Sequence, residues 1–412
     1  MVKEPLEILS TPGYVSLIEG SSGVGKTSLA LKACSLRDKC TYISYADPES
    51  SLREKMKFVA PDYKGKLNVV SAMSGSIETV YSEILNALSE GQLVVVDTLD
   101  AMFFGLKDES AVRPFLQLLY GSVKGKSSSM ILIAEGLSPA AEHIKFVSDA
   151  IISLSFENVL GQNVRALRIL KDRDHPVEQP LYYITLKDGL KILEPLFMLK
   201  RPLLGKFSSL NRPPSSEAEL IKYLGNRVLI ELDMSVEDVR GSLLRKMFMA
   251  DYIKSGYNVN YVIGPNENTE SFLEDMKTLL GSTEKIDVIT FNAKDYDYKA
   301  DKIAHLNSSY KQNAVNFINL LADEGFAVKD PIEYEIFVRE QLKHDLELNR
   351  ITIIIGYSDQ EAIKIQYKYA NLIRKMAVTD GFLFWRSVRP LGPLFFVDIR
   401  PEEGSLDFIR VG

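Results

Sequence analysis

The amino-acid sequence predicts an α/β fold: a mostly parallel sheet with flanking helices and a late β-hairpin, followed by a second α/β domain. Three observations support this prediction. Short apolar runs, which are typical of strands buried on both faces of a parallel sheet, alternate with helical stretches. Several runs stop at a glycine or an acidic residue, where parallel sheets bind their ligands. The order of runs in the first half then repeats, weakly residue by residue, in the second half.

Length and composition indicate a globular protein of more than one domain. With 412 residues, the chain is too long for one hydrophobic core. Its 46% hydrophobic and 25% charged residues are ordinary for folded domains. Residues 201–218 belong to a stretch rich in proline, serine and basic residues, which is typical of a linker. We therefore expect domains at 1–200 and 219–412, joined by this linker.

Charge, apolar runs and cysteines narrow the class of protein. A formal net charge of −6 argues against general nucleic-acid binding. The longest apolar runs, such as residues 351–355, are too short to cross a bilayer, so no membrane partner is expected. Two cysteines, Cys34 and Cys40, and no secretory segment at the N-terminus predict a reducing, cytoplasmic location. We expect both cysteines to be separate, buried, small side chains.

The first apolar run leads into a glycine-rich loop. Gly20, Gly25, Lys26 and Thr27 match the spacing G-x-x-x-x-G-K-[ST] of a phosphate-binding loop between a strand and a helix. The loop backbone can point N–H groups at phosphate, Lys26 can reach the β- and γ-phosphate oxygens, and the Thr27 hydroxyl can ligate Mg²⁺. The predicted nucleotide-binding residues are Gly20, Ser21, Ser22, Gly23, Val24, Gly25, Lys26, Thr27 and Ser28.

Acidic residues follow two other predicted strands. Asp97 ends the run 93–97, so we expect it to hold Mg²⁺ through water opposite Thr27. A carboxylate that orients the attacking water is expected to be Asp47 or Glu49, which follow the second strand. Because an aspartate is one methylene shorter than a glutamate, we expect slow turnover. A protein that binds ATP without hydrolysing it remains an alternative.

Two more predicted strands, one ending at Glu135 and one over residues 146–156, precede a long hairpin with its turn at 160–163. The end of this hairpin carries Lys171 and Arg173. From the residues alone, this charged segment is more typical of a solvated hairpin turn than of a functional site.

The segments YVSLIEGSSGVGKTS, VVVDTLDAMF, FVSDAIISL and RALRILKDRDH follow in order between about residues 10 and 190. Together they resemble the KaiC-like branch of the RecA superfamily of P-loop ATPases. The resemblance implies a RecA-like fold, ATP and Mg²⁺ as cofactors, and a homo-oligomer with ATP at or near subunit interfaces. It further implies that Lys171 and Arg173 reach the γ-phosphate of a neighbouring subunit, with His175 close to a family histidine.

The sequence also departs from the family pattern. Asp47 and Glu49 stand where the family has two adjacent glutamates, and the glycine-rich segment that usually precedes the first strand is missing. The archaeal KaiC-like and GvpD-like regulatory proteins, which pair a P-loop domain with a divergent partner, are the subgroup that the chain resembles.

The second half is predicted to be a degenerate RecA-like domain without a phosphate loop. Residues 231–238, which correspond to the loop, contain four carboxylates and neither glycine nor lysine, so they repel a triphosphate. Asn319 replaces the acid at the end of the corresponding strand. The segment 377–385 is expected to correspond to 146–154, and Arg400 to lie near the position of Lys171.

We therefore expect an ATP-binding protein with slow Mg²⁺-dependent ATPase activity, whose nucleotide state controls assembly or the binding of a regulatory protein partner. A recombinase-like DNA-binding protein is an alternative. The segments after Asp97 and Glu135, where such proteins contact DNA, are short and not strongly basic.

Overall fold

The computed structural model describes residues 4–73, 77–103, 112–125, 127–135, 144–195, 205–211, 225–233, 239–263, 268–290, 314–320, 330–400 and 403–411. The chain forms two compact units, Met1–Leu193 with Val411–Gly412, and Glu194–Arg410. The predicted fold class is confirmed, because each unit is an α/β domain built on a large, mostly parallel sheet with flanking helices.

The sheet of the first unit has nine strands in the order β3-β2-β4-β5-β1-β6-β7-β8-β9. Strands β1 to β6 are parallel, and β7, β8 and β9 are appended antiparallel. The strands are β1 Val15–Gly20, β2 Lys39–Ser44, β3 Lys66–Ser71, β4 Leu93–Asp97, β5 Ser129–Ala134, β6 Ala150–Val159, β7 Gln162–Asp172, β8 Leu181–Thr185 and β9 Lys191–Leu193.

Helices cover both faces of this sheet, which explains why its strands are continuous apolar runs. Side chains of α1, α2 and α3 pack with Ile18 on one face, and those of α4, α5 and α6 pack with Leu17 on the other. The helices are α1 Pro5–Ser10, α2 Lys26–Cys34, α3 Glu49–Val59, α4 Ile77–Ser89, α5 Leu99–Phe103 and α6 Val112–Val123.

The second unit has a ten-stranded sheet in the order β13-β12-β14-β15-β11-β16-β17-β18-β19-β10. Its strands are β10 Ser209–Asn211, β11 Arg227–Leu232, β12 Asn258–Ile263, β13 Ile286–Thr290, β14 Ala314–Asn319, β15 Ile351–Tyr357, β16 Leu372–Thr379, β17 Phe382–Arg389, β18 Leu391–Arg400 and β19 Ser405–Val411. Its helices are α7 Val239–Lys254, α8 Thr269–Leu280, α9 Pro331–Glu347 and α10 Glu361–Tyr369. Apart from β10, this is the strand order of the first unit.

Strand β10 lies inside the range expected to be a linker, 201–218, and pairs in parallel with β19 at the edge of the second sheet. Elsewhere, strand register matches the two units residue by residue. Asp97 and Ile18 pair with the same residue of β5, and Asn319 and Ile230 pair with the same residue of β15. Asn319 therefore occupies the position of Asp97, as the repeat in the sequence predicts.

Backbone contacts identify a second pair of equivalent residues. The Val15 N–H donates to Asp149 Oδ2 at 3.0 Å, and the Asp149 N–H donates to the Val15 carbonyl at 2.8 Å. Arg227 and Asn371 form the same two bonds, at 3.2 Å to Asn371 Oδ1 and 2.9 Å to the Arg227 carbonyl. Asn371 is therefore the counterpart of Asp149.

The predicted correspondence of 377–385 with 146–154 is consequently wrong. Both segments contain an aspartate next to apolar residues, but the two aspartates do different things. Asp149 precedes a strand, whereas Asp380 and Gly381, both with positive φ, form the turn between β16 and β17.

The cysteine prediction is correct for burial and wrong for bonding. Cys34 and Cys40 are both fully buried. Their sulfur atoms are joined in a disulfide, because the end of α2 and the start of β2 bring the two Cα atoms within 5.5 Å. No helix among the described residues has both the length and the hydropathy that crossing a membrane requires.

Candidate nucleotide-binding site

The glycine-rich loop connects β1 to α2 in a backbone conformation that needs glycine. A Cβ at Gly20, where φ is 150°, would stand 2.4 Å from the Leu154 carbonyl oxygen. Gly25, immediately before α2, has φ of 108°, in the left-handed region. The loop therefore folds tightly against the N-terminus of α2, where the unpaired backbone N–H groups of the first helical turn favour an anion.

Lys26 extends back over this loop. Its Nζ donates to the carbonyl of Gly20 at 2.7 Å and to that of Ser21 at 2.8 Å. Burial lowers the pKa of Lys26, against the opposing effect of nearby carboxylates. The loop carbonyls thus hold the ammonium group at the concave side of the loop, where the sequence predicts phosphate.

The two predicted metal ligands are in contact. Asp97, at the end of β4, is 8% exposed, and its Oδ2 accepts a hydrogen bond from Thr27 Oγ1 at 2.8 Å. The same oxygen accepts a bond from the Tyr42 hydroxyl at 2.6 Å. Burial raises the pKa of Tyr42 well above its ordinary value, so this hydroxyl remains a donor. The oxygen atoms of a hydroxyl and a carboxylate are ligands of the kind that Mg²⁺ prefers.

Tyr42 was not predicted from the sequence. In the middle of a buried strand, a tyrosine has the pattern of a core residue. Its contact follows from register: Tyr42 is paired with Val95, two residues before Asp97 on β4, so both side chains project from the same face.

Two further carboxylates, those of Glu135 and Asp100, lie close enough to Lys26 to affect its pKa. The first residue after β5, Glu135, has its backbone N–H bonded to Asp100 Oδ2 at 2.7 Å. The charges of Glu135, Asp97 and Asp100 all oppose the lowering of the Lys26 pKa. The sequence marked Glu135 only as the end of a strand, and nothing in it distinguished Asp100.

The two expected water-orienting carboxylates are engaged by cations of α3. Asp47 Oδ2 lies 2.7 Å from Lys55 Nζ, and Glu49 Oε1 lies 2.6 Å from Arg53 Nη2. All four side chains are between about a third and a half exposed. Ion pairs this exposed contribute only about 0–1 kcal/mol, so either acid can leave its partner at small cost.

The hairpin cation Lys171 contacts backbone of its own unit. Its Nζ donates to the carbonyls of Lys145, at 3.0 Å, and Ser148, at 2.7 Å. Burial lowers the pKa of Lys171, and the charge of Arg173 acts in the same direction. These bonds attach the end of β7 to the segment that leads into β6.

Arg173 is bonded to a buried carboxylate. Its Nη1 lies 3.1 Å from Asp149 Oδ1 and also contacts the Tyr120 hydroxyl. His175 Nδ1 lies 3.2 Å from Asp172 Oδ2, next to the same hairpin end. The structure thus brings Lys171, Arg173 and His175 together, but away from the phosphate loop.

The separation follows from the topology of the sheet. Asp149 is bonded to Val15 at the start of β1, whereas the phosphate loop follows Gly20 at the end of β1. At about 3.3 Å per residue, these two ends of β1 are roughly 17 Å apart. The hairpin cations therefore lie at the opposite edge of the sheet from the phosphate loop of their own chain.

The counterpart of Lys171 in the second unit is Arg389, not Arg400 as the sequence analysis expected. Lys171 is paired with Ile151 and Arg389 with Ile373, at equivalent positions on β6 and β16. Arg400 instead ends β18, one strand further along, which is why counting from the end of the hairpin misplaced it.

The comparison with known proteins agrees with this geometry. The glycine-rich loop between β1 and α2, the buried lysine and the hydroxyl–carboxylate pair define a P-loop ATPase domain. More particularly, residues 11–196, less than half of the chain, match the family model described as ATPase: KaiC. These residues of the first unit are therefore similar to KaiC-like ATPases of the RecA superfamily, as the resemblance implied. No curated protein matches the chain.

In the second unit, a contact between an asparagine and a tyrosine takes the place of the contact between Asp97 and Tyr42. Asn319 Nδ2 donates to the Tyr261 hydroxyl at 3.2 Å, and Tyr261 is paired with Phe317 as Tyr42 is paired with Val95. Of the acidic segment 231–238, residues 234–238 lie outside the described residues.

We expect Asp97→Asn to leave the fold intact, because Asn319 occupies the equivalent position beside a tyrosine in the second unit. Loss of the charge should raise the Mg²⁺ concentration for half-maximal ATPase activity about tenfold, as is common for side chains that act on a metal through water. A Mg²⁺ titration of phosphate release measures this shift. Asn319→Asp is the matched control and should not change it. An unchanged Mg²⁺ dependence of Asp97→Asn would contradict the assignment of Asp97.

Proposed function

We propose that this protein binds ATP, hydrolyses it slowly with Mg²⁺, and uses its nucleotide state to control assembly or partner binding. The observation that carries the proposal is the contact between Thr27 and Asp97 beside Lys26, at the N-terminus of α2. These are the groups that an ATPase needs for phosphate and metal, and they stand together at the carboxyl ends of β1 and β4, the two buried parallel strands on either side of β5.

In this proposal residues 20–28 surround the phosphates with backbone N–H groups, and Lys26 places its charge on the β- and γ-phosphate oxygens. Thr27 would supply a ligand to Mg²⁺, and Asp97 would orient the Thr27 hydroxyl and hold the metal through water. Mg²⁺, when bound, neutralises charge on the β- and γ-phosphates. Tyr42 fixes the carboxylate of Asp97 from the buried side.

Slow turnover is supported by the side chain of Asp47, which is one methylene shorter than that of a glutamate. Asp47 and Glu49 each pair with a cation of α3. A carboxylate oxygen in contact with a cation of α3 does not at the same time accept a hydrogen bond from the attacking water. Hydrolysis then requires that one of these ion pairs opens, which costs only about 0–1 kcal/mol and so slows turnover little.

Dependence on assembly is supported by the position of the hairpin cations. Lys171 and Arg173 lie at the opposite edge of the sheet from the phosphate loop of their own chain. If they stabilise charge on a γ-phosphate, they do so in a second copy of the chain. A homo-oligomer with ATP at or near its interfaces is therefore part of the proposal.

Sedimentation velocity with and without Mg-ATP, with phosphate release measured in the same samples, tests this function. We expect Mg-ATP to shift the protein to a larger species and phosphate release to be slow. If phosphate release per chain were as fast in a monomeric sample as in an assembled one, the dependence on assembly would be contradicted. Absence of ATP binding would contradict the function altogether.

A further inference from the structure

Asp149 is a fully buried carboxylate at the amino-terminal edge of the first sheet. Its Oδ2 accepts the Val15 N–H, and its Oδ1 accepts Lys124 Nζ at 2.8 Å and the Tyr120 hydroxyl at 3.3 Å. The same oxygen lies 3.1 Å from Arg173 Nη1. A buried carboxylate is stable only when paired and hydrogen-bonded, and here two cations share it.

Arg173 is held at one side only. Its Nη1 contacts Asp149 and Tyr120, while its Nε and Nη2 have no hydrogen-bond partner within the described part of the chain. The side chain is 40% exposed, and its guanidinium carbon lies 5.6 Å from the centre of the Tyr120 ring. The guanidinium group is thus fixed along one edge and presents its other donors outward.

Comparison with the second unit shows which contacts of the hairpin end also occur in a unit without a phosphate loop. Arg389 Nη1 donates to the carbonyls of Tyr367 and Ala370, each at 3.0 Å, as Lys171 does at the equivalent backbone positions. The attachment of the hairpin end to the preceding segment is therefore common to both units, including the one that lacks a phosphate loop.

The acid–arginine pair is not common to both units. Asn371 keeps the backbone bonds of Asp149 but carries no charge. Two residues after Arg389, as Arg173 stands two residues after Lys171, the sequence has Leu391, the first residue of β18, and no arginine. Acid and arginine occur together in the unit with the phosphate loop and are replaced together in the other.

We propose that Asp149 is a positioning residue for Arg173, and that Lys171 attaches the end of the hairpin to the segment that precedes β6. This inference rests on the proposed action of the hairpin on a neighbouring copy. An arginine that is ordered before assembly loses less side-chain freedom when it meets a phosphate, so the transition state is reached more readily. When Arg173 is replaced, Lys124 still pairs with Asp149. The buried carboxylate then keeps a cation, so Arg173 can be mutated without leaving it unpaired.

The test is a double-mutant cycle on turnover by the full chain under conditions of assembly. Asp149→Asn reproduces a residue that the second unit already accommodates. We expect kcat to fall about fivefold with KM for ATP unchanged. In an Arg173→Ala background, Asp149→Asn should cause no further fall, because there is no guanidinium left to position. A parallel cycle on urea unfolding should show coupling between the two residues.

An equal fall of kcat in both backgrounds, or no fall in either, would overturn the positioning role alone. If Arg173→Ala itself leaves turnover unchanged, the action on a neighbour fails and this proposal fails with it. Should Asp149→Asn not fold, Tyr120→Phe removes the other Nη1 partner, and we expect about a twofold fall that is again absent without Arg173.

The attachment role of Lys171 is tested separately, by thermal unfolding. Lys171→Met should lower the thermal midpoint of unfolding by several degrees, and Lys171→Arg, which copies Arg389, should restore it. An unchanged midpoint in Lys171→Met would overturn the attachment role.

Discussion

Replacing Lys26 by alanine is expected to abolish measurable ATP binding. The Lys26 ammonium group is the cation that the loop carbonyls hold beside the predicted phosphate position. In a partly buried site its charge is not replaced by water, so the triphosphate loses its main counter-charge. Isothermal titration with Mg-ATP measures the effect. Lys39→Ala, which removes an exposed lysine at the start of β2, is the control and should bind normally. Unchanged affinity in Lys26→Ala would refute the loop assignment.

The same titration reports on the second unit. Because residues 231–238 contain four carboxylates and Asn319 replaces the metal-site acid, the unaltered chain should saturate at about one ATP per chain. Two saturable sites, or residual binding in Lys26→Ala, would show that the second unit binds nucleotide.

Arg173→Ala is expected to leave ATP affinity nearly intact and to lower turnover about 10³-fold, the lower end of the range for arginine fingers. The cation acts mainly on charge that develops in the transition state, so the ground-state complex is little affected. Steady-state phosphate release and the binding titration separate the two effects.

Mixing Arg173→Ala with Lys26→Ala should restore part of the activity. A mixed assembly contains interfaces at which an intact phosphate loop on one chain meets an intact Arg173 on the next. The control mixture combines Arg173→Ala with a chain carrying both substitutions. In that mixture every intact loop meets a missing arginine, and no activity should return. Co-assembly of the single variants without rescue would make Arg173 an ordinary surface residue.

Most of the fold could be predicted because its signals are local. Continuous apolar runs that end at Gly20 or Asp97 correspond to buried parallel strands, and the turn predicted at 160–163 contains Leu160 and Gly161, both with positive φ. The duplicated strand order was visible as a repeated order of runs even where few residues agree.

What the sequence could not show depends on register between distant strands. The Tyr42 hydroxyl reaches Asp97 only because β2 and β4 pair in one alignment. The wrong correspondence at 377–385 has a similar origin, because an aspartate beside apolar residues occurs both before strands and in hairpin turns. The pairing of Glu49 with Arg53, four residues apart on α3, is by contrast readable from spacing alone.

At two pairs of equivalent positions, the units differ only by a carboxylate in the first and an amide in the second. Asn319 is the structural equivalent of Asp97, and Asn371 is the structural equivalent of Asp149. An amide keeps the outline of a carboxylate and an accepting oxygen, while its charge disappears. Aspartate and asparagine codons differ by one base. Single mutations can thus remove the charge at the positions of Asp97 and Asp149 in one of two duplicated units while the sheet stays packed, so two such units can diverge in role without passing through an unstable intermediate.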